Sequence, residues 1–111
     1  MNTRGQLAEN LACQYLQKQG CSIVCRNFYS SFGEIDIVAL KGGVLHFVEV
    51  KSRRQDEPLY AITPHKLKKI QQTIDVYFQE NPSDSPFCID ALTLKGELPN
   101  CQIEWIQNIA F

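Results

Sequence analysis

Apolar positions along the chain fall into two helical stripes and five strand-like runs. Leu7, Ala8, Leu11, Ala12, Tyr15 and Leu16 recur at helical spacing. Thr3 followed by Gln6 at the third position on reads as a capping box, and Gly20 as the stop. At about 100° per residue, Glu9 lies just beyond the apolar arc, next to Leu16. It can therefore look toward whatever this helix packs on. A strand over residues 22–29 follows, and Ser30-Ser31-Phe32-Gly33 turns the chain into an acidic strand over 33–40. The third strand covers 44–51, after Gly42-Gly43. That pair suits a two-residue hairpin, because a type I′ turn needs positive φ at both central residues. Lys41 then pairs with Val44, and the register carries Asp36 opposite Glu49 and Glu34 opposite Lys51.

Residues 52–62 are polar and irregular. Thr63-Pro64 is an N-cap followed by proline at the first helical position. The second helix carries Leu67, Ile70, Ile74, Tyr77 and Phe78 on one face, with Lys68 and Lys69 mostly off it. After a loop at 81–86, strands are predicted over 87–94 and 103–109. The order is α-β-β-β-α-β-β. The third strand, second helix and fourth strand form a right-handed crossover, so those two strands should be parallel. The expected fold is α/β, a mixed five-stranded sheet with a helix on each side. Long apolar strands agree with burial on both faces.

Carboxylates facing each other across a ladder repel. A sequence keeps such a pair when something positive sits between them. Lys51 shares a face with Glu49, since side chains alternate. Asp36, Glu49 and Lys51 together are the set that holds a hard divalent cation and activates a water. Mg²⁺ or Mn²⁺ would take Asp36, Glu49 and the Val50 carbonyl. Lys51 would orient or help deprotonate the water, or stabilise charge developing at phosphorus. The target would be a phosphodiester. Glu9 could complete the metal shell, and Glu34 could simply pair with Lys51. The plainer reading of these charges is a set of solvated salt bridges at strand ends. His46 and His65 read as packing or surface residues. Asp90, an acid in an apolar run, either orients a site residue or caps a neighbouring element. Trp105 reads as core, while Tyr29 and Phe32 flank a turn where bases could stack.

At 111 residues the chain fits one compact domain over 1–111. It has no transmembrane run and no signal-peptide apolar region, so a cytoplasmic protein without membrane association is expected. The odd count of five cysteines suggests reduced thiols. Cys21 and Cys25 lack zinc-ligand spacing, and buried apolar thiols are the expected state. The net charge of −1 counts mildly against nonspecific nucleic-acid binding. The distribution is less even, because Lys51, Arg53, Arg54, Lys66, Lys68 and Lys69 gather with only Asp56 and Glu57 as acids. That stretch is either a phosphate-binding face or a solvated one.

Asp36 followed by Glu49-Val50-Lys51 resembles the PD-(D/E)xK nuclease signature, and the element order resembles the restriction-endonuclease-like core. More closely, the chain resembles the YraN-like family of small bacterial proteins. The shared pieces are Gly5 with Glu9-x-x-Ala12-x-x-Tyr15-Leu16, Arg26-Asn27-Phe28, Gly33-Glu34-Ile35-Asp36, Phe47-Val48-Glu49-Val50-Lys51-x-Arg53, Ile89-Asp90 and Asn108-Ile109-Ala110-Phe111. They span essentially the whole chain. Ile35 stands where the signature has proline, and Tyr60 stands where the family usually has an acid. The resemblance implies a nuclease-like fold, a nucleic-acid partner and kinship with archaeal Holliday-junction resolvases. Those dimers use a helix-1 glutamate in the role suggested for Glu9, which makes a homodimer an expectation here.

The combined expectation is a metal-dependent endonuclease acting on DNA, with branched or structured DNA preferred. Asp36 and Glu49 bind Mg²⁺ (or Mn²⁺), Lys51 assists the water, and Glu9 supports the metal. Arg53, Lys66, Lys68 and Lys69 hold phosphates. The alternatives are a catalytically silent module binding nucleic acid or a repair partner, and an interaction protein with no nucleic-acid role. Fold alone does not decide among them.

Overall fold

The computed structural model describes residues 3–110. Thr3 caps the first helix as its sequence predicts. The Thr3 hydroxyl accepts the Gln6 N–H, and the Gln6 side chain accepts the Thr3 N–H. Helix α1 runs Arg4–Lys18, followed by β1 (Ser22–Ser30), β2 (Gly33–Lys41) and β3 (Val44–Arg53). A 3₁₀ turn at Pro58–Ala61 leads to α2 (Pro64–Glu80), β4 (Phe87–Lys95) and β5 (Gln102–Ile106). The strands lie in the order β1-β2-β3-β4-β5. Strands β3 and β4 are parallel, and the other neighbours are antiparallel. This is the expected mixed sheet, with the α2 crossover making the parallel pair.

The two helices cover opposite faces. On one side Ala8, Ala12 and Leu16 of α1 belong to a core with Ile37, Ala39, Val48, Leu92 and Leu94. On the other, Ile70, Ile74 and Tyr77 of α2 share a core with Ile35, Val38, Phe47 and Ile89. Phe47 anchors the second layer through edge-to-face contacts with Tyr77, Phe78 and Phe87. Gly42 and Gly43 take φ of 57° and 78° in the β2–β3 turn, and Lys41 pairs with Val44. No described helix is long and apolar enough to cross a membrane.

Two expectations change. Strand β5 ends at Ile106, not 109. Asn108 adopts φ of 57° and its N–H bonds the Asp90 carboxylate, while Ile109 N–H bonds the Ile89 carbonyl. The chain therefore leaves β5 and folds back on β4. The segment after Lys51 is also more regular than expected. Strand β3 continues beside β4 to the Arg53–Lys95 pair, and buried Pro58 sits in the 3₁₀ turn.

One irregularity shapes the end of the sheet that carries Asp36 and Glu49. Pairing between β2 and β3 stops at Ile37–Val48. Beyond that point β2 stays with β1 as far as Gly33–Ser30, and β3 stays with β4 as far as Arg53–Lys95. The sheet forks. Ile37 packs in the α1 layer and Ile35 in the α2 layer. A regular strand would put residues two apart on one face, so the alternation breaks at Asp36.

Candidate functional site

The fork explains how two repelling acids meet. Continued register would set residue 35 against Val50. Instead the Val50 N–H donates to Asp36 Oδ2 at 2.8 Å. Strand N–H groups lie in the sheet plane, so the Asp36 carboxyl occupies the gap between the parting strands. The Glu49 carboxyl lies beside it, close enough to raise its pKa. Asp36 and Glu49 thus come together as expected, but across a fork rather than on a ladder rung. Burial, then the Glu49 carboxyl, pushes Asp36 up to about 8, against the Val50 N–H and Lys51. Like charges this close cannot both ionise cheaply, so the pair keeps a proton at neutral pH. Glu49 is only 9% exposed.

Glu34 is not opposite Lys51, which corrects the expected register. The fork has carried it away, and it pairs with Tyr29 on β1 instead. Burial raises its carboxyl while the facing Tyr29 hydroxyl lowers it.

A cleft of about 840 Å³ opens at the fork, with Glu9, Asn27, Glu34, Asp36, Lys51 and Arg53 in its lining. Glu9 points into it from α1, held from below. Arg26 Nη2 lies 2.9 Å from Glu9 Oε1, and Asn27 Nδ2 donates to Glu9 Oε2 at 3.0 Å. Each carboxylate oxygen already has a donor. Neither Arg26 nor Asn27 is an evident site residue from its type or spacing. Their signals are the Arg26-Asn27-Phe28 piece that resembles the YraN-like family and a polar pair interrupting a strand. Asn27 takes φ of 53° and breaks the alternation, so that Phe28 joins Cys25 in the α2 layer while Arg26 faces α1. Asparagine tolerates that conformation better than other non-glycine residues. Asn27→Ala is expected to cost about 2 kcal/mol, from left-handed strain plus a lost charge-assisted hydrogen bond. Asn27→Gly removes only the second part, so urea denaturation should place it between wild type and the alanine variant.

The basic residues divide. Arg53 lines the cleft, as does Arg4, which no motif or charge cluster distinguishes. Lys66 sits close enough to Lys51 that the Lys51 charge holds its ammonium below the usual range. Lys68 and Lys69 are exposed on α2 and do not line the cleft. Tyr29 at its rim is 69% exposed, and Phe32 nearby in sequence is 44% exposed.

Donor chemistry here suits a hard cation. Two carboxyls are forced together and hold a proton for want of positive charge, beside the Val50 peptide at the cleft wall. Oxygen donors with room for retained waters are what Mg²⁺ takes.

Asp90 follows the second of its two readings and caps a neighbouring segment, the stretch after β5. It is fully buried and accepts from Trp105 Nε1 at 2.8 Å and Asn108 N at 3.0 Å. His46 Nδ1 lies 2.6 Å away, and Cys88 Sγ donates to it at 3.1 Å. Asp90 therefore ties the C-terminal segment to β3 and β4, at the rung where it pairs with Val48, one residue before Glu49. His46 is buried, as a packing residue should be, but it belongs to a polar cluster.

Similar sequences match this chain along nearly its whole length. The profile of the Uncharacterised protein family UPF0102 matches residues 8–94. A UPF0102 protein of Helicobacter pylori (strain Shi470) is 53% identical over 108 residues, covering 97% of this chain and 91% of the relative. UPF0102 protein WS0451 of Wolinella succinogenes is 49% identical over 106 residues, 96% of this chain and 94% of the relative. A UPF0102 protein of Helicobacter hepaticus is 45% identical over 111 residues, with 98% and 97% covered. A match that runs through both helices, the forked hairpin and β4 leaves one conclusion: this chain belongs to the UPF0102 family, the YraN-like group its motifs resemble.

Proposed function

We propose that this protein is a metal-dependent endonuclease that hydrolyses phosphodiesters of DNA, with branched or structured DNA preferred. The observation that carries the reading is the carboxyl pair at the fork, held together at the edge of an open cleft with Lys51 on the same strand. A fold can relieve that repulsion more simply by placing an amide at one position. Keeping both acids makes sense if a cation replaces the shared proton.

Asp36, Glu49 and the Val50 carbonyl would hold Mg²⁺ or Mn²⁺. The bound ion supplies Lewis-acid polarisation of a phosphoryl oxygen and a more acidic water. Lys51 orients the attacking water and stabilises the negative charge that grows on the phosphoryl oxygens. Its charge is already crowded by Lys66, and a phosphate between the two ammonium groups relieves that crowding. Arg53 and Arg4 continue the positive wall along which a backbone can lie. Lys68 and Lys69 would touch only a substrate long enough to pass α2. Tyr29 and Phe32 offer faces for an unstacked base, which favours a junction or flap over an intact duplex.

A second reading rests on Glu9. With both oxygens engaged by Arg26 and Asn27, that carboxylate is already neutralised. The cleft would then bind nucleic acid without turnover. A homodimer fits either reading, since a branched substrate offers two equivalent strands.

Labelled four-way junction, flap, duplex and single strand, each incubated in Mg²⁺, Mn²⁺ and EDTA, separate these cases. Metal-dependent cutting, with binding that weakens as salt rises, is the expected result. Salt-sensitive binding without cutting on any substrate would establish the silent module. Neither binding nor cutting would leave an interaction protein.

A further inference from the structure

We propose that His46, Cys88 and Asp90 form a second metal site, one that takes a borderline-soft divalent cation, Zn²⁺ by preference, and locks the C-terminal segment onto the sheet. His46 comes from β3, and Cys88 and Asp90 from β4. His46 and Cys88 are partners across the parallel ladder, and Asp90 pairs with Val48 two places on. Strand alternation therefore brings all three to one face. Their ligating atoms already converge. Cys88 Sγ lies 3.2 Å from His46 Nδ1 and 3.1 Å from Asp90 Oδ1, and His46 Nδ1 lies 2.6 Å from Asp90 Oδ2. A tetrahedral zinc site with bonds of about 2.0–2.3 Å separates its ligand atoms by roughly 3.3–3.7 Å. Movements of about an ångström or less open the cluster to that spacing.

Three further features favour a cation. A thiolate and a carboxylate together neutralise a divalent charge, so the loaded site carries no net charge into the sheet. Asp90 keeps Trp105 Nε1 on Oδ2 and the Asn108 N–H on Oδ1 after His46 and Cys88 turn to the metal. Such outer hydrogen bonds are what orient a ligating carboxylate. Cys88 is only partly buried, which leaves an approach for the ion and a fourth position for water. The thiolate and imidazole select against Mg²⁺, so this site and the carboxyl pair at the fork would not compete for one ion.

A Cys-His-Asp nucleophile is the obvious competitor, and the geometry rejects it. Cys88 and Asp90 crowd the same ring nitrogen, Nδ1, so His46 cannot pass a proton between them in the manner of a triad. Burial and then Asp90 push the Cys88 thiol up to about 12, so it is protonated near neutrality. A cation bound directly to sulfur reverses that preference. Cysteine spacing along the chain carries no hint of the site, because its ligands lie on two strands joined through α2.

Co²⁺ reports thiolate ligation directly. Full-length protein, reduced and stripped with a chelator, is titrated with Co²⁺ and then with Zn²⁺. One equivalent of Co²⁺ should give a thiolate charge-transfer band in the near ultraviolet, and Zn²⁺ should displace it. Cys88→Ser and His46→Gln, checked for folding by circular dichroism, should lose the band. Cys25→Ser, Cys101→Ser and Asp36→Asn should keep it. Trp105→Phe should weaken Zn²⁺ about tenfold to a hundredfold, as loss of an outer-shell partner does. If Cys88→Ser does not fold, Cys88→Ala carries the same test, and Zn²⁺ should raise the melting temperature of wild type but not of that variant. No band in wild type, or a band that survives loss of Cys88, overturns the proposal. None of these readouts depends on nuclease activity.

Discussion

Asp36→Asn is expected to abolish metal-dependent cleavage while making the metal-free protein more stable above neutral pH. The two effects share one cause. In the folded protein burial and Glu49 raise Asp36 from 3.8 to about 8. Between those values an unfolded chain has already released the proton while the folded one retains it. The unfolded state is thereby favoured progressively as pH rises from about 4 to about 8. The strain is absent below that window and fully present above it. An amide cannot ionise, so Asp36→Asn should flatten this part of the stability profile in EDTA, and Mg²⁺ should restore stability to wild type only. Cleavage should drop by at least the roughly 10²–10³-fold that follows loss of one group stabilising a transition state. Lys51→Ala should lose activity on that same scale while keeping the pH-dependent strain, because it leaves both carboxyls in place. Urea melts from acid to mildly alkaline pH with and without Mg²⁺, beside junction cleavage, test both statements. A wild-type profile as flat as that of Asp36→Asn would remove the physical basis of the cation site. Full activity in Asp36→Asn would remove Asp36 from the cleavage site.

Asp90→Ala is expected to be among the most destabilising single changes in the chain, at about 3–5 kcal/mol, because several buried hydrogen-bonding groups lose their partner at once. The carboxylate is fully buried and has four partners. Its removal strands the Trp105 indole N–H, the Asn108 N–H and the His46 ring, and leaves the C-terminal segment the Ile109–Ile89 backbone bond and its apolar contacts as its hold on β4. Against a usual domain stability of roughly 5–15 kcal/mol, that loss is a large share. Trp105→Phe removes one donor and keeps the acceptor partly satisfied, so about 1–2 kcal/mol is expected. Urea denaturation in the presence of chelator isolates this effect from any metal. An Asp90→Ala cost below about 1 kcal/mol would mean that apolar contacts and the Ile109–Ile89 backbone bond dock the segment without the carboxylate. By contrast the exposed pairs Arg54–Glu97 and Lys95–Glu57 should be nearly silent when broken.

Local chemistry makes much of this fold legible in the amino-acid sequence. The Thr3/Gln6 cap, the Gly42-Gly43 turn and the Thr63-Pro64 start are rules about neighbouring residues, and each holds. Alternation and helical spacing assign the two helices and five strands, and the helical crossover between them makes β3 and β4 parallel. The hairpin register alone brings Asp36 to Glu49, with Lys51 beside it. What it cannot supply is the fork. An ideal ladder continues through Glu34 and Lys51, whereas the folded chain parts at Ile37–Val48, because the Asp36 carboxyl takes the Val50 N–H in place of a backbone acceptor. The cleft, the displacement of Glu34 and the entry of Arg4, Arg26 and Asn27 all follow from that parting. The same limit hides the role of Asp90. His46, Cys88, Trp105 and Asn108 are spread over more than half the chain, and only the packing of β4 between β3 and β5 gathers them. Periodicity reports which face a residue prefers. Which distant residues share that face, and whether two strands stay together there, is decided by burial and hydrogen-bond satisfaction in the assembled sheet.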